Sequence, residues 1–278
     1  MTEWIQKEMM VAMNKVREQT PLVPSITNTV TINLVANAQL AVGGSAAMVY
    51  LPDEGESLAK LGQSFYINVG TMFPIYQESL PRTVQALVAN QTPWVLDPVA
   101  VGLGELRTSL LASFKQGKPN IIRGNASEII ALAGLWGLSG GAKDSQVKGV
   151  DASEPVEQAI PAAISLARWT NGAVAVSGER DIITDGHKLA FSSGGSSFYE
   201  KITGAGCSLG GVCAVYQAVT TPFIAALTAS TLYNVAGKLA EQQATGPASF
   251  QQHFLDQLYQ LSPSQVASHP FELKEVSE

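Results

Sequence analysis

Pro93-Trp94-Val95-Leu96-Asp97-Pro98 and, beyond a helix-length stretch over 105–116, Asn120-Ile121-Ile122-Arg123-Gly124-Asn125-Ala126-Ser127-Glu128 decide the fold of this chain. Each is a short apolar run that stops at polar, turn-forming residues, as a strand buried on both faces does. Between them, and again over 125–135, the apolar spacing becomes helical. A buried strand, a covering helix and another buried strand make the repeating unit of a parallel sheet, because parallel neighbours need a crossover.

The unit recurs on both sides. Ala47-Met48-Val49-Tyr50, Phe65-Tyr66-Ile67-Asn68-Val69, Ala173-Val174-Ala175-Val176 and Ile182-Ile183-Thr184 read as strands. Helices are expected over 4–18 (Ile5, Met9, Met10, Met13 and Val16 on one stripe), 29–42, 74–90 and 155–169, with Pro21 and Pro24 ending the first. The segment 181–191 reads as two strands around Asp185-Gly186, an antiparallel edge. Three helices follow, near 207–219, 222–243 and 248–260, the second with Thr221 as N-cap and Pro222 at the first helical position. The fold expected is α/β: a mainly parallel central sheet with an antiparallel edge, helices on both faces, and residues 1–278 forming a single domain.

Composition narrows the function. With 46% hydrophobic and 14% charged residues, a large core is available and disorder is disfavoured. A net charge of −6 argues against nucleic-acid and anionic-membrane partners, which need clustered Lys and Arg. Glu3 and Lys7 break any signal-peptide core, and Asn28, Asn33, Asn37 and Gln39 interrupt the one stretch rich in small apolar residues, so no membrane span is expected. Cys207 and Cys213 stand six apart on one helix, which is neither a zinc spacing nor a disulfide framework; the location expected is a reducing cytoplasm.

Polar punctuation falls just after the strands, at the edge where open parallel sheets bind ligands. In Ile202-Thr203-Gly204-Ala205-Gly206-Cys207 two glycines open a helix with its stripe at Leu209, Val212, Cys213, Tyr216 and Val219. Converging backbone N–H groups and the helix dipole suit that turn to a phosphoryl group; a Gly-rich turn without a ligand has the same local pattern. Asp97 at a strand end is either a magnesium ligand acting through water or an Asp-Pro turn. Glu128, three residues after Asn125, completes a capping box, and Arg123 just before it offers a fixed cation for phosphates; both roles can coexist. The Ser177 hydroxyl, in Ser177-Gly178-Glu179, can bind phosphate or merely begin a turn. Gly102-Leu103-Gly104 and Ser139-Gly140-Gly141 read as loops. There is no Gly-rich P-loop with its Lys, no dinucleotide fingerprint, and His187, His253 and His269 are scattered.

Asn28-Thr29-Val30-Thr31-Ile32-Asn33-Leu34-Val35-Ala36-Asn37, Asn68-Val69-Gly70-Thr71, Leu96-Asp97-Pro98-Val99, Arg123 to Glu128 and Thr203 to Cys207 occur in that order. Together they resemble the hydroxyethylthiazole kinase family of the ribokinase-like superfamily, from about residue 20 to about residue 260. The resemblance implies phosphorylation of the primary hydroxyl of 4-methyl-5-(2-hydroxyethyl)thiazole by ATP with Mg2+, in thiamine salvage. It also implies a homotrimer with active sites at subunit interfaces. On the matching positions, Met48 and Gly204 would contact the thiazole, with Asn28, Val30, Gly70 and Thr71 nearby. Arg123 and Ser177 would contact ATP, and Asp97 and Glu128 would form the acidic pair near magnesium. The amides of Gly204, Ala205, Gly206 and Cys207 would receive charge on the transferred oxygens, and Cys207 stands where many related kinases place an Asp base. Two positions depart from the family: Ser177 stands where Thr is frequent, and Ala100 where Gly is usual. A hydroxymethylpyrimidine or sugar kinase of the same superfamily, a non-catalytic binding protein and an oxidoreductase are the competing readings.

Overall fold

The computed structural model describes residues 1–142 and 155–276. In α1 (Thr2–Gln19) the buried side chains Ile5, Met9, Ala12, Met13 and Val16 recur every three or four residues, and Thr20 closes the helix in the left-handed conformation. There follow β1 (Leu22–Ile26), α2 (Ile32–Ala41), β2 (Ser45–Met48), α3 (Pro52–Leu61), β3 (Phe65–Asn68), α4 (Tyr76–Asn90), β4 (Trp94–Asp97), α5 (Glu105–Ser113), β5 (Ile121–Asn125) and α6 (Ala126–Leu135). The second part holds α7 (Ile160–Thr170), β6 (Ala173–Ser177), β7 (Arg180–Thr184), β8 (Lys188–Ser193), α8 (Ala205–Gln217), α9 (Pro222–Gln243), α10 (Pro247–Gln260), α11 (Pro263–Ala267) and β9 (Phe271–Glu275).

The strands form one sheet in the order β2-β1-β3-β4-β5-β6-β7-β8-β9. Pairs from β2 to β6 are parallel, and those from β6 to β9 are antiparallel. This is the expected mainly parallel sheet with an antiparallel edge. Successive strand residues face opposite layers. Tyr66, Val95, Ile121, Ala175 and Ile183 pack with α1, α2, α8, α9 and α10. Phe65, Ile67, Leu96, Ile122, Val174 and Ile182 pack with α3 to α7. Burial on both faces explains why the strands read as unbroken apolar runs.

Local departures from the sequence reading have identifiable causes. The segment around Pro21 and Pro24 ends α1 as expected but also carries β1, an interior strand. The proline is accommodated because β1 joins β3 only from Ser25 onward, after Pro24. The strand expected at 47–50 runs instead over Ser45–Met48, at the edge of the sheet. The helix expected over 29–42 begins at Ile32, and the one expected over 155–169 opens as a 3-10 turn at Val156–Ala159 before α7. β9 escapes detection because it is short and mostly charged, with only Phe271 and Leu273 alternating as half-buried apolar residues. Thr221 does precede α9 with Pro222 first in the helix, but its hydroxyl makes no capping bond. Among the described residues no helix is long and apolar enough to cross a membrane.

Candidate active site

The C-terminal ends of the parallel strands converge on the start of α8. Asn68 pairs with Asp97 in register, and Arg123 stands two residues beyond Ile121, the partner of Val95. Asn68, Asp97, Arg123 and Ser177 therefore share the face toward α8, each two residues beyond an apolar side chain of that core. The segment leading into α8 holds a 3-10 turn at Ser197–Lys201.

Gly204 is the N-cap of α8 with φ +95, and a Cβ there would lie 2.7 Å from Thr31 Cβ. Both the backbone angle and the space require glycine. The N–H of Ser208 is the first in the helix to find its partner, donating to Gly204 O at 2.8 Å. The amides of Ala205, Gly206 and Cys207 are thus the orphan donors of the first turn, and the dipole adds positive potential beside them. Across Gly206 lies the guanidinium of Arg123: a Cβ at that glycine would come within 2.6 Å of Nη1 and 2.7 Å of Nη2.

A continuous polar network surrounds this turn. Asn28 Nδ2 donates to Cys207 Sγ (3.3 Å) and to Asn68 Oδ1 (3.0 Å), while Asn28 Oδ1 accepts from Thr31 N. Asn68 Nδ2 donates to Asp97 Oδ2 (2.9 Å) and to Tyr66 Oη (3.0 Å). Tyr66 Oη lies 2.9 Å from Asp97 Oδ2 and 2.7 Å from Cys207 O, two acceptors for one phenolic proton. Arg123 Nη1 stands 3.5 Å from Asp97 Oδ2, and its Nη2 donates to Ser177 Oγ at 3.0 Å.

Electrostatics follow from burial. Loss of water holds the Asp97 carboxyl above the usual carboxylate range, against the pull of Arg123 and of the Tyr66 and Asn68 donors. Burial opposes the charge on Arg123, but Asp97 and Glu128 outweigh it and keep the guanidinium firmly protonated. Burial, reinforced by Asp97, pushes the Cys207 thiol up, so it rests protonated. Asp97 Oδ1 is buried without a partner. Glu128 completes the expected capping box with Asn125, Oε2 accepting from Asn125 N at 2.9 Å, and its Oε1 accepts from Ala100 N at 3.3 Å. It thereby tethers the loop that follows Asp97.

Of the residues singled out in the sequence, Cys207, Gly204, Ala205, Gly206, Asn28, Asp97, Arg123 and Ser177 come together here. Gly70 joins them through its N–H to Asn68 Oδ1, at 2.9 Å. Met48, Val30 and Thr71 stay outside the hydrogen-bonded network. Met48 lines an open cavity of about 270 Å3 with Asp53, Glu54, Ser57 and Leu58, and Val30 is 69% exposed. Sequence reasoning gives no role to Tyr66, Asn68 or Arg107. Tyr66 and Asn68 carry a usable signal, since polar groups at i and i+2 near a strand's end share one face. Arg107 carries none: it is buried from α5 and donates to Val69 O (2.9 Å) and Gly70 O (3.0 Å), holding that loop.

Residues 13–264 match the Hydroxyethylthiazole kinase family. A hydroxyethylthiazole kinase of Bifidobacterium longum subsp. infantis is 50% identical over 274 residues, covering 92% of this chain and 87% of its own. The structure of a hydroxyethylthiazole kinase protein from Pyrococcus horikoshii superposes with a TM-score of 0.85 at 30% identity, over 98% of this chain and 100% of the other. Pyridoxal kinase from Staphylococcus aureus, solved with AMP-PCP, shares the fold at a TM-score of 0.62 and 16% identity, over 92% of this chain and 99% of its own. A ribokinase-like sheet, a Gly-rich turn with Gly204 as the N-cap of α8 and these likenesses lead to one assignment: the chain belongs to the hydroxyethylthiazole kinase family.

Proposed function

We propose that the protein transfers the γ-phosphoryl group of ATP to the primary hydroxyl of 4-methyl-5-(2-hydroxyethyl)thiazole, a step of thiamine salvage. One observation carries this: a buried guanidinium, Arg123, lies across Gly206 beside three partnerless amides. Fixed positive charge from two sources at one point suits a group whose transition state spreads negative charge over its oxygens. Gly204, Ala205, Gly206 and Cys207 receive the transferred oxygens, while Arg123 and Ser177 hold the nucleotide phosphates.

The thiazole sits on the side of the turn formed by Asn28, Val30, Met48, Gly70 and Thr71, with Met48 and Gly204 in contact. Cys207 is a protonated thiol at rest, so it orients the hydroxyl rather than standing ready as a base. A loose transition state asks little of a base, because bond formation to the attacking oxygen is late.

Magnesium fits the acidic end of the site. Asp97 Oδ1 is a hard oxygen donor left without a partner, whereas both Glu128 oxygens already accept backbone amides. Asp97 would therefore hold the ion, and Glu128 would keep the adjoining loop in place. When bound, magnesium supplies charge neutralisation on the phosphates. The working assembly is a homotrimer in the cytoplasm, with each site completed at a subunit interface.

The test is phosphate transfer from Mg-ATP to hydroxyethylthiazole, with the phosphorylated product identified by mass spectrometry. ADP release with hydroxymethylpyrimidine but none with the thiazole would overturn the substrate assignment.

A further inference from the structure

Asp181 is a buried carboxylate for which the proposed reaction has no use. It lies in β7 two residues before Ile183, and so faces the same layer as Arg123 and Ser177. Among the described residues no cation forms an ion pair with it. Its Oδ1 accepts the Gly178 N–H at 3.1 Å, and its Oδ2 accepts Asn234 Nδ2 at 3.1 Å. Asn234, on α9, also donates to Ser192 Oγ at 3.0 Å. Burial pushes the carboxyl up to about 6, so ionisation is costly in this place.

The cost has a purpose if the position of the β6–β7 turn matters. Gly178 is pinned from two sides: Asp181 holds its N–H, and a Cβ on it would stand 2.2 Å from Val156 Cγ2. The residue just before it is Ser177, whose hydroxyl accepts from Arg123. An acceptor-only group with two oxygens can hold the turn and α9 at once, which a neutral amide or hydroxyl cannot do without turning a donor toward one of them. We infer that Asp181 is a positioning residue for nucleotide binding: it sets the Ser177-Gly178 turn against α9 and, through Ser177, aims Arg123 at the phosphates. This role rests on the proposed nucleotide contacts of Arg123 and Ser177.

The experiment is calorimetric titration of the full-length protein with AMP-PNP and magnesium. It compares wild type, Asp181→Ala, Asp181→Asn, Ser177→Ala and the two double variants, alongside steady-state kinetics. Asp181→Ala is expected to weaken AMP-PNP binding by about fivefold to tenfold, with kcat at saturating ATP within about twofold. Asp181→Asn, which keeps one acceptor, loses only about twofold to threefold. Because Asp181 acts through Ser177, neither double variant binds more weakly than Ser177→Ala alone. Unchanged affinity in the Asp181 variants, or additive losses in the doubles, overturns the inference. If Asp181→Ala does not fold, Asp181→Asn and its double variant decide by the same criteria. Wild-type protein that binds AMP-PNP without phosphorylating the thiazole removes the substrate assignment alone, and the binding comparison still decides the role of Asp181. Wild-type protein that binds no nucleotide overturns both.

Discussion

In the proposed transfer, Gly204 and Gly206 bear more of the chemistry than Cys207 does. Gly204 is demanded by its φ and by contact with Thr31, and Gly206 by contact with Arg123, whereas the thiol is a protonated group accepting one bond from Asn28. An Asp at position 207 would still meet the Asn28 donor. Cys207→Asp is therefore expected to keep kcat within about tenfold, while Gly204→Val and Gly206→Val lose at least about a hundredfold. Steady-state kinetics decide it: a dead Asp variant beside active Val variants would reverse the assignment of weight. Ala100 is the other residue of note. It holds φ +58, a conformation that costs a residue with a Cβ about 1 kcal/mol, at a position where the resemblance leads one to expect Gly. The bond from its N–H to Glu128 and the packing of its loop hold it there.

At the scale of elements, α8 approaches β3 closely enough for a phenol to bridge them. The ring of Tyr66 fits because Gly210 has no side chain: a Cβ there would stand 2.5 Å from Tyr66 Cε2 and 2.8 Å from its Oη. The ring packs under the helix while the hydroxyl reaches Asp97 and Cys207 O, so one side chain ties sheet, acid and the start of α8 together. Gly210→Ala forces the helix or the ring to move and is expected to destabilise the fold by about 1–3 kcal/mol, the range for overpacking a filled core. Urea unfolding measures it, and an unchanged midpoint would mean the helix can shift off the ring freely.

At the scale of the whole molecule, the site lies at the C-terminal ends of the parallel strands, centred on β3 to β6. Val30, Leu51 and Phe73, in the loops after β1, β2 and β3, are exposed apolar side chains at that end. Burying them between subunits matches the proposed trimer with sites at its interfaces. Sedimentation velocity is expected to give about three times the 29.3 kDa chain mass, and Val30→Glu is expected to reduce both that mass and the activity. A monomeric, fully active wild type would refute the interface site. The sequence alone was enough for the alternation of buried strands and helices, the antiparallel edge, the capping box of α6 and the Gly-rich start of α8, because periodicity and turn chemistry are local. Arg107, Asp181 and the strand around Pro24 were not legible in it, and Tyr66 was so only as a polar group sharing a face with Asn68, since their meaning depends on partners far away in the chain. A phenol becomes part of a site only when a glycine 144 residues later leaves it room, and a buried carboxylate has a task only once β7 lies beside α9. Local order is a property of neighbours in sequence; the site is made of distant residues that only close packing brings within hydrogen-bond reach.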